Sequence, residues 1–323
     1  MARQVVAALL ALLLLAGIAP AGAQSWPTKP VKLINGYPAG GGADILARLV
    51  AERLTLALGQ QVIVENRTGA TGMIAAQSVA AAAPDGYTVL LYTMNMGSTS
   101  PVMPGTKIAI DPDRELMPVV MIAGLDNLLY VNPQTPFKTV KDVIDAAKAR
   151  PGKLTYGSSG VGGSYHLWGA LFTSLAGVDM LHVPFRGGPP AIAEIIAGRV
   201  DMMFGNLAEI LPHIRSGSVR PIAFTSVPPS PVLPGIPTVV ETLPGYQADN
   251  WFGLGLPAAA PREVADRLNS EVNRMLKTPE FREKLVSLGY QPLGGSSDDM
   301  KNAIQRDRAK WKKVIDANGI RGE

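Results

Sequence analysis

Two glycine-rich segments each follow a short apolar run and precede an amphipathic stretch. The first reads YPAGGGAD over residues 37–44, and the second reads GSSGVGGSYH over residues 157–166. A helix that starts at such a turn presents unpaired N–H groups and a partial positive charge, and glycine lets a ligand approach the backbone closely. Each segment can therefore hold an anion, and two such segments facing each other across a cleft would hold a carboxylate.

The second segment also offers groups for nucleophilic catalysis. Ser158 and Ser164 lie close in sequence to His166, and Asp44 or Asp201 could complete a triad in space. However, residues 156–160 read YGSSG, which is not a G-x-S-x-G elbow, and a serine two residues before a histidine on one helix start points away from it. A secreted serine hydrolase using Ser164 or Ser158 with His166 is therefore kept as the alternative hypothesis.

Composition and motifs argue against cofactors, metals and nucleic acid. The chain has no G-x-x-x-x-G-K-[ST] string, and both glycine-rich segments depart from G-x-G-x-x-G spacing. There is no cysteine, and the three histidines never stand at i, i+4 spacing with a carboxylate between them. The 30 Lys and Arg against 26 Asp and Glu are spread along the chain without a basic run interleaved with aromatics. We predict no cofactor, no metal and no nucleic-acid partner.

The N-terminus has the three parts of a secretory signal peptide. Arg3 gives a positive start, residues 5–18 form an apolar run, and Ala21-Gly22-Ala23 fits the small-x-small cleavage rule. We expect a signal peptide over residues 1–23, cleaved after Ala23. Since no cysteine follows for lipid anchoring, we expect a soluble periplasmic or secreted protein.

Alternating short apolar runs and helical periodicity predict an α/β protein of two lobes. A strand, a glycine-rich turn and a helix open the chain near residue 31 and recur near residue 153. Apolar stretches at 119–131 and 249–256 are candidate strands that cross between lobes. We therefore predict lobe 1 from residues 24–125 and 250–323, lobe 2 from 126–249, and three helices after residue 261.

Eight strings carry a resemblance through their order and spacing over residues 25–318. They are YPAGGGADILAR, VENRTGATGMIAA, APDGYTVL, ARPGKLTYGSSGVGGSYHL, GVDMLHVPFRGGPPAI, PHIRSGSVRPIAFTS, LPGIPTVVE and NWFGLGLPA. Together they resemble the tripartite tricarboxylate transporter substrate-binding proteins, also called Bug or TctC-type receptors. The resemblance implies a periplasmic Venus-flytrap fold of the type II binding-protein class. It also implies a monomer that closes on a small carboxylate and delivers it to integral-membrane permease subunits, without catalysis.

The resemblance also implies which residues bind the ligand. Relatives hold a ligand carboxylate between the first strand–helix loop of each lobe. Carried over to this sequence, the candidate ligand-binding residues are Tyr37, Ala39, Gly40, Gly41, Ala43, Asp44, Asn95, Ser158, Ser159, Gly162, Ser164, His166, Arg186, Gly187, Asn206 and Trp251. Within this set, Asp44 is expected to cap its helix, His166 to orient its turn, and Trp251 either to floor the cleft or to pack between lobes. Arg186 is either an electrostatic anchor or a surface charge.

Two departures from the family pattern bear on the ligand. Gly205 stands where relatives commonly carry Asp, and Ala43 stands where they often carry Thr. These changes remove an acid and a hydroxyl near the expected cleft. We therefore expect plain di- or tricarboxylates, or aromatic carboxylates, rather than amino acids.

Overall fold

A computed structural model describes residues 26–106 and 110–322 of the chain. The predicted signal peptide and its cleavage site lie outside these residues. Among the described helices, none combines the length and the apolar character needed to cross a bilayer.

Six strands form the first sheet, in the order β11-β4-β10-β3-β1-β2. Their bounds are β1 Val31–Asn35, β2 Val62–Asn66, β3 Thr88–Thr93, β4 Leu116–Leu125, β10 Trp251–Pro257 and β11 Tyr290–Gly294. Strand β1 pairs in parallel with β2 and β3, whereas β10 runs antiparallel to both β3 and β4. The carboxyl ends of β1, β2 and β3 therefore lie at one edge of the sheet, where the first glycine-rich turn follows β1.

Five strands form the second sheet, in the order β7-β6-β8-β5-β9. Their bounds are β5 Asn127–Val131, β6 Thr155–Ser158, β7 Leu181–Pro184, β8 Met202–Asn206 and β9 Arg220–Phe224. Strand β6 is parallel to β7 and β8, and β5 is antiparallel to β8 and β9. As in the first sheet, the parallel strands are each followed along the chain by a helix.

Helices flank both sheets. Those within the described residues are α1 Gly42–Leu58, α2 Met73–Ala80, α3 Pro112–Glu115, α4 Val140–Ala149, α5 Ser164–Ala176, α6 Gly188–Ile196, α7 Leu207–Arg215, α8 Val239–Thr242, α9 Arg262–Met275, α10 Pro279–Ser287 and α11 Ser297–Ala317. The sequence predicts a capping box at the start of α4, and it is present: Asp142 N donates to Thr139 Oγ1 at 3.1 Å, and the Asp142 carboxylate accepts from Thr139 N at 2.9 Å.

The apolar stretch 119–131 is divided between the two sheets instead of forming one strand. Strand β4 ends at Leu125 and β5 begins at Asn127, with Asp126 between them. Asp126 N donates to Gly289 O at 2.8 Å, beside the Leu125–Tyr290 pair of the β4–β11 ladder, and from Asn127 onward the chain pairs with strands of the second sheet. Leu125 N donates to Asn250 O at 3.1 Å, so the two points where the chain changes sheet lie side by side. The lobe boundaries drawn from the sequence stay a prediction.

Strands β7 and β11 are absent from the sequence prediction, which expects only helices after residue 261. Both lie at the edge of their sheet, and each contains a proline, Pro184 or Pro292. Proline cannot donate to a ladder but is tolerated on an edge strand. Edge strands of this kind lack the continuous apolar run that marks the buried strands.

Candidate functional site

Four helices start where parallel strands end, and their first turns meet around one cavity. Helix α1 follows β1, α5 follows β6, α6 follows β7 and α7 follows β8. The cavity has a volume of about 30 Å³ and is called the inner cavity below. Residues from all four first turns line it, including Gly42, Ser164, Gly188 and Glu209. Because a helix N-terminus carries partial positive charge and free N–H groups, this convergence favours an anion.

A larger space of about 420 Å³, called the outer pocket below, adjoins the inner cavity. Tyr37, Pro38 and Ser159 line both, so the two spaces are neighbours, and together they are called the cleft below. The rest of the outer pocket comes largely from residues 68–72 and 185–187. A space of this volume suits a small organic molecule that extends outward from the inner cavity.

The first glycine-rich loop is held in shape by Asp44. Its carboxylate accepts hydrogen bonds from Gly40 N at 3.0 Å, from Arg48 Nε at 2.9 Å and from Asn66 Nδ2 at 2.9 Å. Burial opposes ionisation of Asp44, but these hydrogen bonds outweigh it and hold the pKa of the carboxyl below its usual value. Asp44 thus fixes the turn as an ionised group and does not line the cleft.

Tyr37 joins the first loop to a third loop that the sequence prediction did not assign to the site. Its hydroxyl donates to Thr71 O at 3.0 Å and accepts from Asn95 Nδ2 at 3.0 Å. Ala70 and Thr71 adopt left-handed backbone angles, with φ of 46° and 51°. Such strain in residues other than glycine persists where surrounding contacts impose it, and it clusters at binding sites. This loop forms one wall of the outer pocket.

Two stacked histidines support the second glycine-rich loop. His166 Nδ1 accepts from Gly162 N at 3.0 Å, and its ring centroid lies 3.7 Å from that of His182 in a parallel stack. Burial lowers the pKa of His166 to about 4. Burial lowers the pKa of His182 to about 3, and so does repulsion from His166 once that ring is protonated. Both rings are therefore neutral near pH 7, which allows them to stack closely.

The geometry does not assemble the predicted triad. Ser158 Oγ lies 2.7 Å from Nε2 of His182, not of His166, and Ser164 Oγ accepts from Asn250 Nδ2 at 3.4 Å. Among the described residues, no carboxylate hydrogen-bonds either stacked histidine. Asp201 instead accepts from Thr155 N and Oγ1, both at 2.8 Å. Within residues 26–106 and 110–322, no serine is therefore paired with a base that a carboxylate orients, and the serine hydrolase hypothesis loses its geometric support.

Nine of the sixteen residues predicted for the ligand site line the cleft: Tyr37, Gly41, Ala43, Asn95, Ser159, Ser164, Arg186, Gly187 and Asn206. Gly40 lines a shallow pocket beside them. The other six, Ala39, Asp44, Ser158, Gly162, His166 and Trp251, line none of these three spaces. Ser158, Gly162 and His166 belong to the scaffold under the second loop.

Trp251 does not form the floor of the cleft. Its Nε1 donates to Asp307 Oδ2 at 2.7 Å, and its ring stacks on Tyr92 with centroids 6.4 Å apart. The next residue of β10, Phe252, lines the inner cavity in its place. Consecutive residues of a strand point to opposite faces, so Phe252 takes one of the two roles predicted for Trp251.

Glu209 is the most important residue that sequence reasoning missed. Its side chain lines the inner cavity and is only 7% exposed. Oε2 accepts from Tyr165 Oη at 2.8 Å, whereas Oε1 is buried without a partner among the described residues. Burial raises the pKa of Glu209 to about 7, against the effect of the Tyr165 hydrogen bond. The sequence shows that Gly205 removes an acid near the cleft, but it does not single out Glu209, because an acidic residue in the first turn of a helix looks in sequence like an ordinary cap.

Comparisons with known proteins agree with this architecture. The model of the tripartite tricarboxylate transporter family receptor matches residues 46–320. The protein BugT of Bordetella pertussis is 31% identical over 314 residues, covering 95% of this chain and 94% of BugT. A solved structure described as "R. palustris Rpa4515 with adipate" is 36% identical, covers 92% of this chain and 99% of that one, and superposes with a TM-score of 0.89.

A second solved structure, MatC from Rhodopseudomonas palustris with bound malate, is 29% identical with a TM-score of 0.83, covering 90% of this chain and all of that one. The fold is therefore that of the two-lobed periplasmic binding proteins of type II, an α/β architecture. The chain belongs to the family of tripartite tricarboxylate transporter receptors, which are transport receptors.

Proposed function

We propose that this protein is a periplasmic receptor that binds a small organic carboxylate in the cleft and carries out no chemistry on it. The observation that carries the proposal is the convergence of four helix N-termini on the inner cavity. No Lys or Arg is among the described residues that line this cavity, so backbone N–H groups and helix dipoles would supply the attraction. Ser159 and Ser164 add hydroxyl donors.

A second acidic group on the ligand would reach Arg186. This side chain is exposed, lines the outer pocket, and is the one charged side chain among the described residues that do so. The two relatives solved with adipate and with malate carry dicarboxylates. We therefore favour a dicarboxylate, with one carboxylate in the inner cavity and the other at Arg186. Tricarboxylates and aromatic acids are the neighbouring classes to test.

Closure of the cleft would couple binding to transport. The chain passes between the sheets at two adjacent points, Asp126 and Asn250, which we propose as the hinge between lobe 1 and lobe 2. Loops from the two sheets meet across the cleft, where a Cβ built at Gly187 would lie 2.6 Å from Pro38 Cγ. A ligand that touches both sides favours the closed state, which the permease subunits would then recognise on a monomeric receptor.

The first experiment is a thermal-shift screen of residues 24–323, unfolded and refolded to remove any bound ligand. The panel contains adipate, malate, citrate, benzoate, glutamate and acetate. Ligand at 100 times its Kd stabilises the folded state by about 2.7 kcal/mol, which raises the Tm of a chain of about 300 residues by about 4 °C. A rise with a di- or tricarboxylate, confirmed by calorimetry, supports the proposal.

Two results would count against it. No shift with any acid in correctly refolded protein would remove the carboxylate receptor function. Turnover of p-nitrophenyl esters that disappears in Ser158→Ala would restore the hydrolase hypothesis instead. Ser164→Ala should weaken carboxylate binding without producing or removing any turnover, because Ser164 lies at the first turn of α5 in the inner cavity.

A further inference from the structure

The carboxyl group of Glu209 lies against the backbone turns that start two helices. A Cβ built at Gly188, the first residue of α6, would overlap Glu209 Oε1. A Cβ built at Gly41, the N-cap of α1, would lie 3.7 Å from the same oxygen. The carboxyl group therefore occupies the side of the inner cavity where the proposed ligand carboxylate would be held.

One oxygen of this carboxyl group is left without a hydrogen bond. Oε2 accepts from Tyr165 Oη, but Oε1 has no partner among the described residues although it is buried. Asn206 Oδ1 is a second buried oxygen without a partner in the same cavity. Leaving a buried polar atom unpaired costs about 1–3 kcal/mol, so such atoms indicate a place where a ligand completes the hydrogen bonding.

The ionisable groups around Glu209 are mostly phenols. Tyr165 from α5, Tyr130 from β5 and Tyr290 from β11 face it, and burial raises the pKa of each well above its ordinary value, so they stay neutral. Asp44, on α1, is held ionised by its hydrogen bonds with Arg48 and its neighbours. His213, one turn further along α7, lines the shallow pocket that Glu209 also borders.

We infer that Glu209 is protonated when the ligand binds and that its Oε1 then donates a hydrogen bond to an oxygen of the ligand carboxylate. This inference rests on the proposed function. Two ionised carboxylates in one buried cavity repel each other. When one of them is protonated, it donates a hydrogen bond to the other and the repulsion is removed. The proton comes from solvent, so the complex forms from protein, ligand anion and one proton, with no covalent bond made or broken.

A different ligand class would reverse the role of Glu209. If the carboxylate stayed ionised, it would bind an ammonium group, as on an amino acid. Four helix N-termini around the same cavity disfavour a cation there, because their dipoles place positive charge towards it. The geometry therefore favours the shared proton, and the two cases predict opposite dependence of affinity on pH.

The test is calorimetric titration of refolded protein with adipate, and with malate in a parallel series, from pH 5.5 to 8.5. With a carboxyl pKa of about 7 in the free protein, apparent affinity should fall about 30-fold between pH 6 and pH 8.5. Repeating the titration at pH 7.5 in two buffers of different ionisation heat should show uptake of roughly 0.5–1 proton.

Three variants distinguish the effect of Glu209 on the pH dependence of affinity from the effects of neighbouring residues. Glu209→Gln keeps a hydrogen-bond donor at the position without a titrating group, so its affinity should be nearly independent of pH. His213→Asn replaces the histidine that lines the same shallow pocket as Glu209, and it should keep the wild-type profile. Glu194→Gln, on the outer face of α6, is the matched Glu→Gln control and should also keep that profile.

The outcomes are distinguishable. Binding of either acid with flat pH dependence would overturn the shared proton and leave the receptor function standing. Affinity that rises with pH, together with preference for amino acids, would overturn it in favour of an ionised Glu209. Loss of the pH dependence in His213→Asn would assign the titration to the histidine. No binding of either acid at any pH would remove the proposed function itself.

Discussion

Gly42→Ala should weaken ligand binding by preventing close approach of the two sides of the cleft. Gly42 is the first residue of α1, and Asn206 ends β8 in the other sheet. A Cβ at Gly42 would lie 2.6 Å from Asn206 Nδ2 and 3.2 Å from Asn206 Cβ, inside ordinary van der Waals contact. The side chains or the lobes must therefore move apart by several tenths of an ångström.

The size of the effect follows from the cost of overpacking. One added methyl group in a closely packed site typically costs about 1–3 kcal/mol, which corresponds to a loss of affinity of about 5- to 150-fold. In a ligand-free protein that opens about the proposed hinge, the methyl group escapes this contact, and alanine favours a helix over glycine, so stability should not fall. Calorimetry with adipate would measure Kd, and thermal unfolding without ligand would measure Tm.

Two variants make this prediction specific. Gly59→Ala, at the other end of α1, places a methyl group in open space at a φ of 69°, so it should lower Tm and leave Kd unchanged. In an Asn206→Ala background, which removes Nδ2 at 2.6 Å and keeps only Cβ at 3.2 Å, Gly42→Ala should cost less affinity than in the wild type. Normal affinity in folded Gly42→Ala, or the same additional loss in both backgrounds, would refute the reasoning.

Three further predictions concern the outer pocket, the second loop and acid stability. Arg186→Gln should weaken binding of adipate about 5- to 10-fold at low salt but hardly affect a monocarboxylate, measured by calorimetry at two ionic strengths. Gly162→Val should abolish binding while circular dichroism stays native, because Gly162 has a φ of 73° and its Cβ would meet Met103 Cε at 2.7 Å. Unfolded histidine binds a proton near pH 6.5 and folded His166 only near pH 4, so stability should fall as pH drops through this window. In urea titrations, protonation of His166 should lower the free energy of unfolding by about 2 kcal/mol at pH 4.5 relative to pH 7.5, and His166→Gln should lack this part of the loss. If the free energy of unfolding of His166→Gln fell between pH 7.5 and pH 4.5 by as much as that of the wild type, the prediction would be contradicted.

Local pattern was sufficient for the units that build the cleft. Strand β1 with the turn before α1, and β6 with the turn before α5, follow from apolar runs, glycines and helical periodicity, all within about 30 residues of chain. The sequence therefore predicted Gly41 and Ser164 as cleft residues, and both line the inner cavity. The edge strands β7 and β11 could not, because their pairing depends on a neighbouring strand rather than on their own pattern.

Which side chains enter the cleft was decided by tertiary structure. Phe252 rather than Trp251 faces the inner cavity because the pairing of β10 with β3 and β4 sets which face each residue takes. His182, not His166, meets Ser158 because β6 and β7 run side by side.

The amino-acid sequence by itself determined the α/β units, the glycine-rich helix starts and the resemblance to a receptor family. Tertiary structure alone decided that Glu209 shares one cavity with Gly41, Ser164 and Phe252, because these residues come from positions up to about 200 apart. Local propensities act over a few residues, whereas burial and the unpaired oxygen of Glu209 arise only when the two sheets bring their helix N-termini together.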